Sequence, residues 1–375
     1  MSIQLFVPSF RIDECLAEIR ECLEKGWTGL GYKTVEFEAA WKGYTGLPHA
    51  HFLSSATAGL HLAYEVFKLR EGWVDGDEVV TTPLTFVSTN HAILHAGLVP
   101  VFADVDEHLC LDPADVRRKL TPRTRAVSFV GMGGNVGALE EVRALCRERG
   151  LKLVLDAAHM AGTRHHGAHV GADVDVAVFS YQAVKNLPTA DAGMICFADP
   201  AADATVRKLT WLGINKDTYA RSHSQAAYKW LYEVEHTGYK YHGNSIMAAI
   251  ALVQLKYVDQ DNAYRRNVAA WYRDALSDRP GIGLIPVREG CESASHLFQI
   301  RVANRDELIL SLNQHEIFPG VHYRDNTEYP MYAYAKGSCP EARKASAELL
   351  SLPLHLRLSR ADVELVAATV KAYAA

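Results

Sequence analysis

Two residues of this 375-residue chain could together support carbanion chemistry. Asp156 closes the apolar run Leu151-Lys152-Leu153-Val154-Leu155. Lys185 lies five residues past Ser180, the end of a second apolar run that begins at Val174. Successive strand ends in a parallel sheet open on one rim, so a carboxylate and an amine placed there share a cleft. An amine can condense with the aldehyde of pyridoxal phosphate (PLP). A carboxylate can keep the pyridine nitrogen protonated, so that the ring absorbs negative charge. Taken alone, the pair fits a blander account better: an aspartate capping a turn and a solvated lysine.

The elements that must position these residues are legible as alternation. Short apolar, β-branched runs occur at Glu78 to Thr82, Val99 to Ala103, Arg125 to Val130, Leu151 to Leu155, Val174 to Ser180 and Met194 to Phe197. Helical spacing falls between them at Ala58 to Arg70, Thr89 to Ala96 and Leu139 to Arg149, the last stopped by Gly150. Strand, helix, strand, repeated, predicts a mostly parallel sheet covered on both faces. From about Ser245 the pattern changes. Ile246 to Asp261 reads as one long helix, with a second from Asn262 to Leu276 before Pro280 and Gly281. The remainder, with a strand at Leu297 to Val302 and helices at Arg305 to His315 and Ala361 to Ala374, reads as a smaller α+β lobe.

Two other groupings carry possible chemistry. Gly131-Met132-Gly133-Gly134-Asn135-Val136-Gly137 follows a strand and precedes a helix, as a dinucleotide loop does, but Val136 stands where the third glycine belongs. A glycine turn is the better account. His165, His166 and His169 cluster around Gly167, yet no carboxylate or cysteine stands beside them in sequence at ligand spacing. A solvated hairpin is expected there and no metal. The run Asp112 to Lys119 mixes charge signs and reads as a solvated helix face.

Bulk composition narrows the partners. The chain is 49% hydrophobic and 22% charged, with a formal net charge of −5. No basic stripe interleaved with aromatics points to nucleic acid. No apolar stretch reaches the roughly 20 residues of a membrane helix, and Met1 to Arg11 lacks the pattern of a signal peptide. The seven cysteines are odd in number and include no C-x-x-C pair, as expected of free thiols in a reducing cytoplasm.

Longer stretches resemble one family. Asp156-Ala157-Ala158-His159 and Phe179-Ser180-Tyr181-Gln182-Ala183-Val184-Lys185-Asn186-Leu187 are similar to two signature segments of the DegT/DnrJ/EryC1/StrS sugar aminotransferases. Gly26-Trp27-Thr28 with Glu36-Phe37-Glu38, the Ser55 to Ala63 segment, Gly76 to Val80, and Pro83 to Val87 resemble further segments of that family. So do Gly320-Val321-His322-Tyr323 and Leu350 to His355.

The resemblance implies PLP fold type I: a large α/β lobe with a mostly parallel seven-stranded sheet between helices, plus a smaller α+β C-terminal lobe. It implies three parts: residues 1–35 joining the small lobe, 36–259 binding PLP, and 260–375 forming the small lobe. Position by position, Lys185 matches the lysine that carries PLP, and Asp156 the partner of the ring nitrogen. Phe86 matches the aromatic on one ring face. Ser180, Thr57 and the Ala56 backbone match phosphate ligands, and His159 a cofactor neighbour. Lysine at 185, where a dehydratase branch has histidine, implies transamination. Lys240, within Gly238 to His242, matches a segment that crosses to the neighbouring subunit's cofactor. Gln182, His242, His322 and Tyr323 are the implied substrate contacts.

Several positions depart from the family pattern. Ala56, Ala190 and Ala192 replace glycines, and Asp191 replaces a glutamate. Gln182 and His242 replace a histidine and an arginine, and Lys240 an asparagine. The implied reaction moves an amino group, with glutamate as donor, to a keto sugar, chiefly a nucleotide-linked 3- or 4-keto-6-deoxy sugar, with a keto-cyclitol as alternative. The implied assembly is a cytoplasmic homodimer with shared active sites. Two readings from other classes are a nicotinamide dehydrogenase built on Gly131 to Gly137 and a PLP-binding protein without turnover.

Overall fold

A computed structural model of the protein describes residues 2–215, 231–277 and 279–374. Helices α1 (Ile12–Glu24) and α2 (Tyr32–Thr45) precede a short strand, β1 (His51–Leu53). Strands and helices then alternate: α3 (Ala56–Glu71), β2 (Glu78–Thr81), α4 (Val87–His95), β3 (Val99–Phe102), α5 (Pro113–Lys119), β4 (Thr124–Val130), α6 (Leu139–Arg149) and β5 (Lys152–Asp156). A hairpin, β6 (Arg164–His165) and β7 (Ala168–His169), leads to β8 (Val176–Ser180), β9 (Gly193–Phe197) and α7 (Pro200–Thr210).

The large sheet has seven strands in the order β1-β9-β8-β5-β4-β2-β3. Strands β3, β2, β4, β5 and β8 run parallel, and β9 is antiparallel to both β8 and β1. All residues of β2, β8 and β9 are buried, as continuous apolar runs covered on both faces must be. Phe37, Trp41 and Phe129 belong to the core on one side of the sheet, and Tyr64, Val66 and Phe67 to the core on the other. Every strand expected from sequence is present. The unexpected strand, β1, is three residues long, too short for a pattern to show.

The rest of the described chain comprises α8 (Ser245–Leu255), α9 (Val258–Leu276), β10 (Gly283–Leu284), β11 (Cys291–Glu292), β12 (Phe298–Arg301), α10 (Arg305–Gln314), α11 (Pro340–Glu348), β13 (Leu349–Leu352) and α12 (Arg360–Ala374), with α8 packed in the large core and β11 paired to β6. The expected single helix from Ile246 to Asp261 is in fact broken. Its residues divide between α8 and α9 at a turn formed by Lys256 and Tyr257, the latter at φ −113° and ψ −4°. Neither glycine nor proline marks the break. Tertiary contacts hold both sides of it: Tyr257 donates to Glu14, while Gln254 bonds Ser9 and Arg11.

Strands β10, β12 and β13 form an antiparallel sheet. It packs with Val268, Tyr272 and Val366 in a core of its own. Ile3, near the start of the chain, packs in this core. Ile3 bridges Ile317, and Leu354 N–H donates to the Leu5 carbonyl at 3.1 Å. Helix α5 is only partly the solvated face expected of Asp112 to Lys119. Asp115 and Val116 are buried, and the Asp115 carboxylate accepts the Asp104 N–H at 2.6 Å.

Candidate active site

One cavity of about 390 Å³ opens at the carboxyl ends of the parallel strands. Among its lining residues are Asp156 at the end of β5, Ser180 at the end of the neighbouring β8, and Lys185 in the turn beyond it. Ala56 and Thr57 come from the start of α3, and Phe86 from the residue before α4. His159, Gln182, His322 and Tyr323 complete the set expected from sequence.

The carboxylate of Asp156 is buried. It accepts from Thr89 Oγ1 at 2.7 Å and from Ala158 N–H at 3.1 Å. Burial raises its pKa above the ordinary carboxylate value, against the pull of those donors and of the Lys185 charge. Part of Lys185 faces the open cavity, but dense protein on its other sides lowers its amine pKa to about 8; Asp156 opposes that shift. A lysine with this pKa supplies a useful fraction of free amine near neutral pH. Gln182 Oε1 accepts the Val184 N–H at 3.0 Å, so this side chain shapes the turn that presents Lys185.

Ser55 caps α3, its hydroxyl accepting the Ala58 N–H at 3.1 Å. The N–H groups of Ala56 and Thr57, at the helix start, have no partner within the helix and meet the cavity beside Ser180. That is an anion site by construction. Ala56 needs none of the freedom of the glycine it replaces, because it is an ordinary first helical residue. The close approach here falls to Gly193 instead: a Cβ on it would lie 2.5 Å from the Ala56 nitrogen.

Phe86 is 58% exposed over the cavity, 6.0 Å from the Tyr323 ring. His159 Nδ1 accepts the Gly133 N–H at 3.2 Å, which leaves Nε2 to donate to the Tyr323 hydroxyl at 3.1 Å. His322 Nδ1 pairs with Ser351 Oγ at 2.8 Å. Burial first, then the Lys185 charge, holds His159 well below its ordinary pKa and His322 at about 4. Both rings are therefore neutral near pH 7.

Two expected site residues lie elsewhere. Lys240 is exposed, with Nζ 3.2 Å from the centre of the Trp211 ring. His242 Nδ1 donates to the Gly243 carbonyl at 2.6 Å, and its ring also meets Trp211. Neither lines this cavity.

Sequence reading missed His296, which lines the cavity with Nε2 3.5 Å from Lys185 Nζ. It missed Phe6 and Thr89 as well. His296 and Phe6 come from the second lobe and the N-terminal segment, and no local motif marks either one. Thr89 sits just past the Pro83 to Val87 segment and could have been weighed there.

The glycine loop serves this site by packing. A Cβ on Gly134 would lie 2.8 Å from Ser293 Oγ and 3.1 Å from the His159 carbonyl oxygen, so the loop is pressed between large lobe and small. The histidine hairpin needs a correction. The turn is there, but Glu140 of α6 reaches it, and the ligand atoms of Glu140, His165 and His166 all lie within 4.8 Å of one another. Chain separation hides this proximity. His169 turns inward instead, accepting the Gly162 N–H at 3.1 Å.

A free amine, a buried carboxylate, an anion-binding helix start and an uncovered aromatic face around one cavity suit an aldehyde cofactor with a ring nitrogen and a phosphate. Fold and site thus define a PLP enzyme of fold type I. The chain belongs to the DegT/DnrJ/EryC1/StrS aminotransferase family, which it matches over residues 11–371. It is 35% identical, over 96% of its length and 94% of the relative's, to the spore coat polysaccharide biosynthesis protein SpsC of Bacillus subtilis (strain 168). The aminotransferase TlmJ from Streptoalloteichus hindustanus superposes with a TM-score of 0.91 at 34% identity, covering 99% of this chain and 98% of that one. Spr1654 from Streptococcus pneumoniae, at 25% identity, has been solved in a PLP-form (TM-score 0.90, covering 100% and 99%) and a PMP-form (0.91, covering 100% and 98%). The protein is a PLP-dependent aminotransferase of a sugar aminotransferase family.

Proposed function

We propose that this enzyme transfers an amino group from glutamate to a nucleotide-linked 3- or 4-keto-6-deoxy sugar, with Lys185 as the residue that carries PLP. The observation behind the site assignment is the convergence of Lys185, Asp156 and the start of α3 on one cavity. Bound PLP supplies an electron sink for the carbon that loses its proton. Asp156 holds a proton on the ring nitrogen, its charge kept by Thr89 and Ala158. Phe86 would cover one ring face of bound PLP, with His159 beside it. Ser180, Thr57 and the Ala56 N–H hold the phosphate. Lys185 Nζ, when free, takes the proton and returns it. His322, Tyr323 and Gln182 meet the sugar.

The choice of a keto sugar over a keto-cyclitol rests on relatives such as Spr1654, described as a putative sugar aminotransferase. The lobes divide near residue 259, the active form is a homodimer, and the enzyme works in the cytoplasm. Lys240, exposed and outside its own protomer's cavity, reaches the neighbour's cofactor phosphate or nucleotide, with His242 beside it. Lys240→Ala should then weaken PLP or substrate binding by about 1–3 kcal/mol without dissociating the dimer.

Borohydride reduction of the holoenzyme with peptide mapping tests the site, and a screen of keto sugars and keto-cyclitols by mass spectrometry tests the acceptor. The pyridoxyl label should fall on Lys185, and a nucleotide-linked keto sugar should gain nitrogen from glutamate. A label on another lysine, or amination of cyclitols alone, would overturn the corresponding part.

A further inference from the structure

Asn262 Nδ2 donates to the backbone carbonyl of Ala161 at 2.9 Å, an atom that can only accept. Asn262 Oδ1 is therefore the acceptor of that amide, and Asn186 Nδ2 donates to it at 2.7 Å. Asn186 Nδ2 donates its other hydrogen to the Ala294 carbonyl, also at 2.7 Å. With both hydrogens placed, Asn186 presents its oxygen to His296 Nδ1, 2.9 Å away. The amide oxygen accepts, so Nδ1 carries the imidazole proton. In the neutral ring Nε2 then holds a lone pair, and that nitrogen faces Lys185 Nζ at 3.5 Å. Two backbone carbonyls thus set, through two amides, which nitrogen of a buried histidine is offered to the lysine.

The ring cannot easily turn away. Phe6 stacks on it with centroids 5.5 Å apart and planes at 10°, and His159 packs at 4.3 Å. Burial, most of all, then the charge of Lys185, keeps this imidazole well below its ordinary pKa. The other titratable groups around the lysine and this ring are Asp156, His159, Asp191, His322 and Tyr323 at the cavity, and Arg265 and His355 on the far side of Lys185.

We propose that His296 is a positioning residue for Lys185, a tautomer-locked acceptor that docks the lysine amine whenever that amine is not bonded to cofactor. The proposal rests on Lys185 carrying PLP. Transamination frees this amine in every cycle, and a free lysine beside a buried carboxylate tends to collapse onto it as an ion pair. A neutral lone pair offers a competing hold that adds no charge. The 3.5 Å separation is a loose resting contact, as such contacts often are before ligands bind.

The test uses the apo-protein, with trace acetic anhydride labelling of amines across pH and Lys185 read by peptide mass spectrometry. His296→Phe keeps a packed ring and lacks the acceptor. It should lower the labelling midpoint of Lys185 by about one pH unit or more, because a hydrogen bond to the ammonium is lost. His296→Gln restores an acceptor and should stay within about half a unit of wild type. An unchanged midpoint in a folded His296→Phe protein would overturn the proposal. Nitrogen-15 NMR of histidine-labelled wild-type apo-protein adds a reading that stands even if neither variant folds. His296 should carry its proton on Nδ1 at pH 7, and a proton on Nε2, or on both nitrogens, defeats the idea. Borohydride mapping of the holoenzyme separates the two claims: a label on another lysine removes the purpose of the contact and leaves the tautomer as found.

Discussion

Two groups of histidines sit on this molecule and differ in almost every physical respect. His159, His296 and His322 surround Lys185 at the cavity, packed against one another, Phe6 and Tyr323. His165 and His166 sit at a surface hairpin beside Glu140, with His166 exposed. The same side chain is uncharged near pH 7 in the first setting. Desolvation and a neighbouring ammonium both disfavour its cation there. At the hairpin the neighbour is a carboxylate, that of Glu140, and no ammonium. Position, not residue type, decides which histidines shape the chemistry of the lysine.

The largest effect should come from the lysine that defines the first group. Lys185→Ala should lose the borohydride-reducible link and fall to background turnover, a loss on the order of a millionfold. It can still hold PLP non-covalently through Asp156, Phe86, Thr57 and Ser180. In wild type, covalent capture of PLP by apo-protein should accelerate as pH rises through about 8, where the amine loses its proton. A flat profile across that range would break the comparison at its centre.

Asp156→Asn should keep the fold and lose about three orders of magnitude in turnover, about 4 kcal/mol of barrier. A neutral amide does not hold a proton on the ring nitrogen. Near-normal steady-state rates would remove Asp156 from the mechanism.

Acid should act on the cavity group through stability. His322 has a pKa of about 4 in the fold against 6.5 ordinarily. The unfolded chain therefore binds more protons between those values, and stability present above pH 6.5 drains away as pH falls towards 4. The loss traced to His322 across that window is about 3 kcal/mol. His322→Gln should flatten the fall in unfolding temperature across that window. Equal slopes for wild type and His322→Gln would show that burial does not govern this ring.

The smallest effect belongs to the hairpin. A His165→Ala, His166→Ala double variant should retain turnover to within about twofold and stability to within about 0.5 kcal/mol, as surface changes usually do. A severe loss of activity would mean that the surface group acts on the reaction.

Much of this protein follows from local sequence. Buried parallel strands must be continuous apolar runs, and an amphipathic helix must repeat its face, so β2, β3, β4, β5, β8 and β9 and the helices between them are written in short-range pattern. Asp156, Ser180 and Lys185 are legible for the same reason, because the first two close recognisable strands and the third follows one. What the chain alone could not show are meetings across long separations. His296 reaches Lys185 from the second lobe, Glu140 reaches His165 from another helix, and the break between α8 and α9 answers to residues of the N-terminal segment. Nor does sequence assign a proton to one nitrogen of His296. That choice comes from the carbonyls of Ala161 and Ala294 acting through Asn262 and Asn186, and hydrogen-bond direction is a property of atoms brought together by packing.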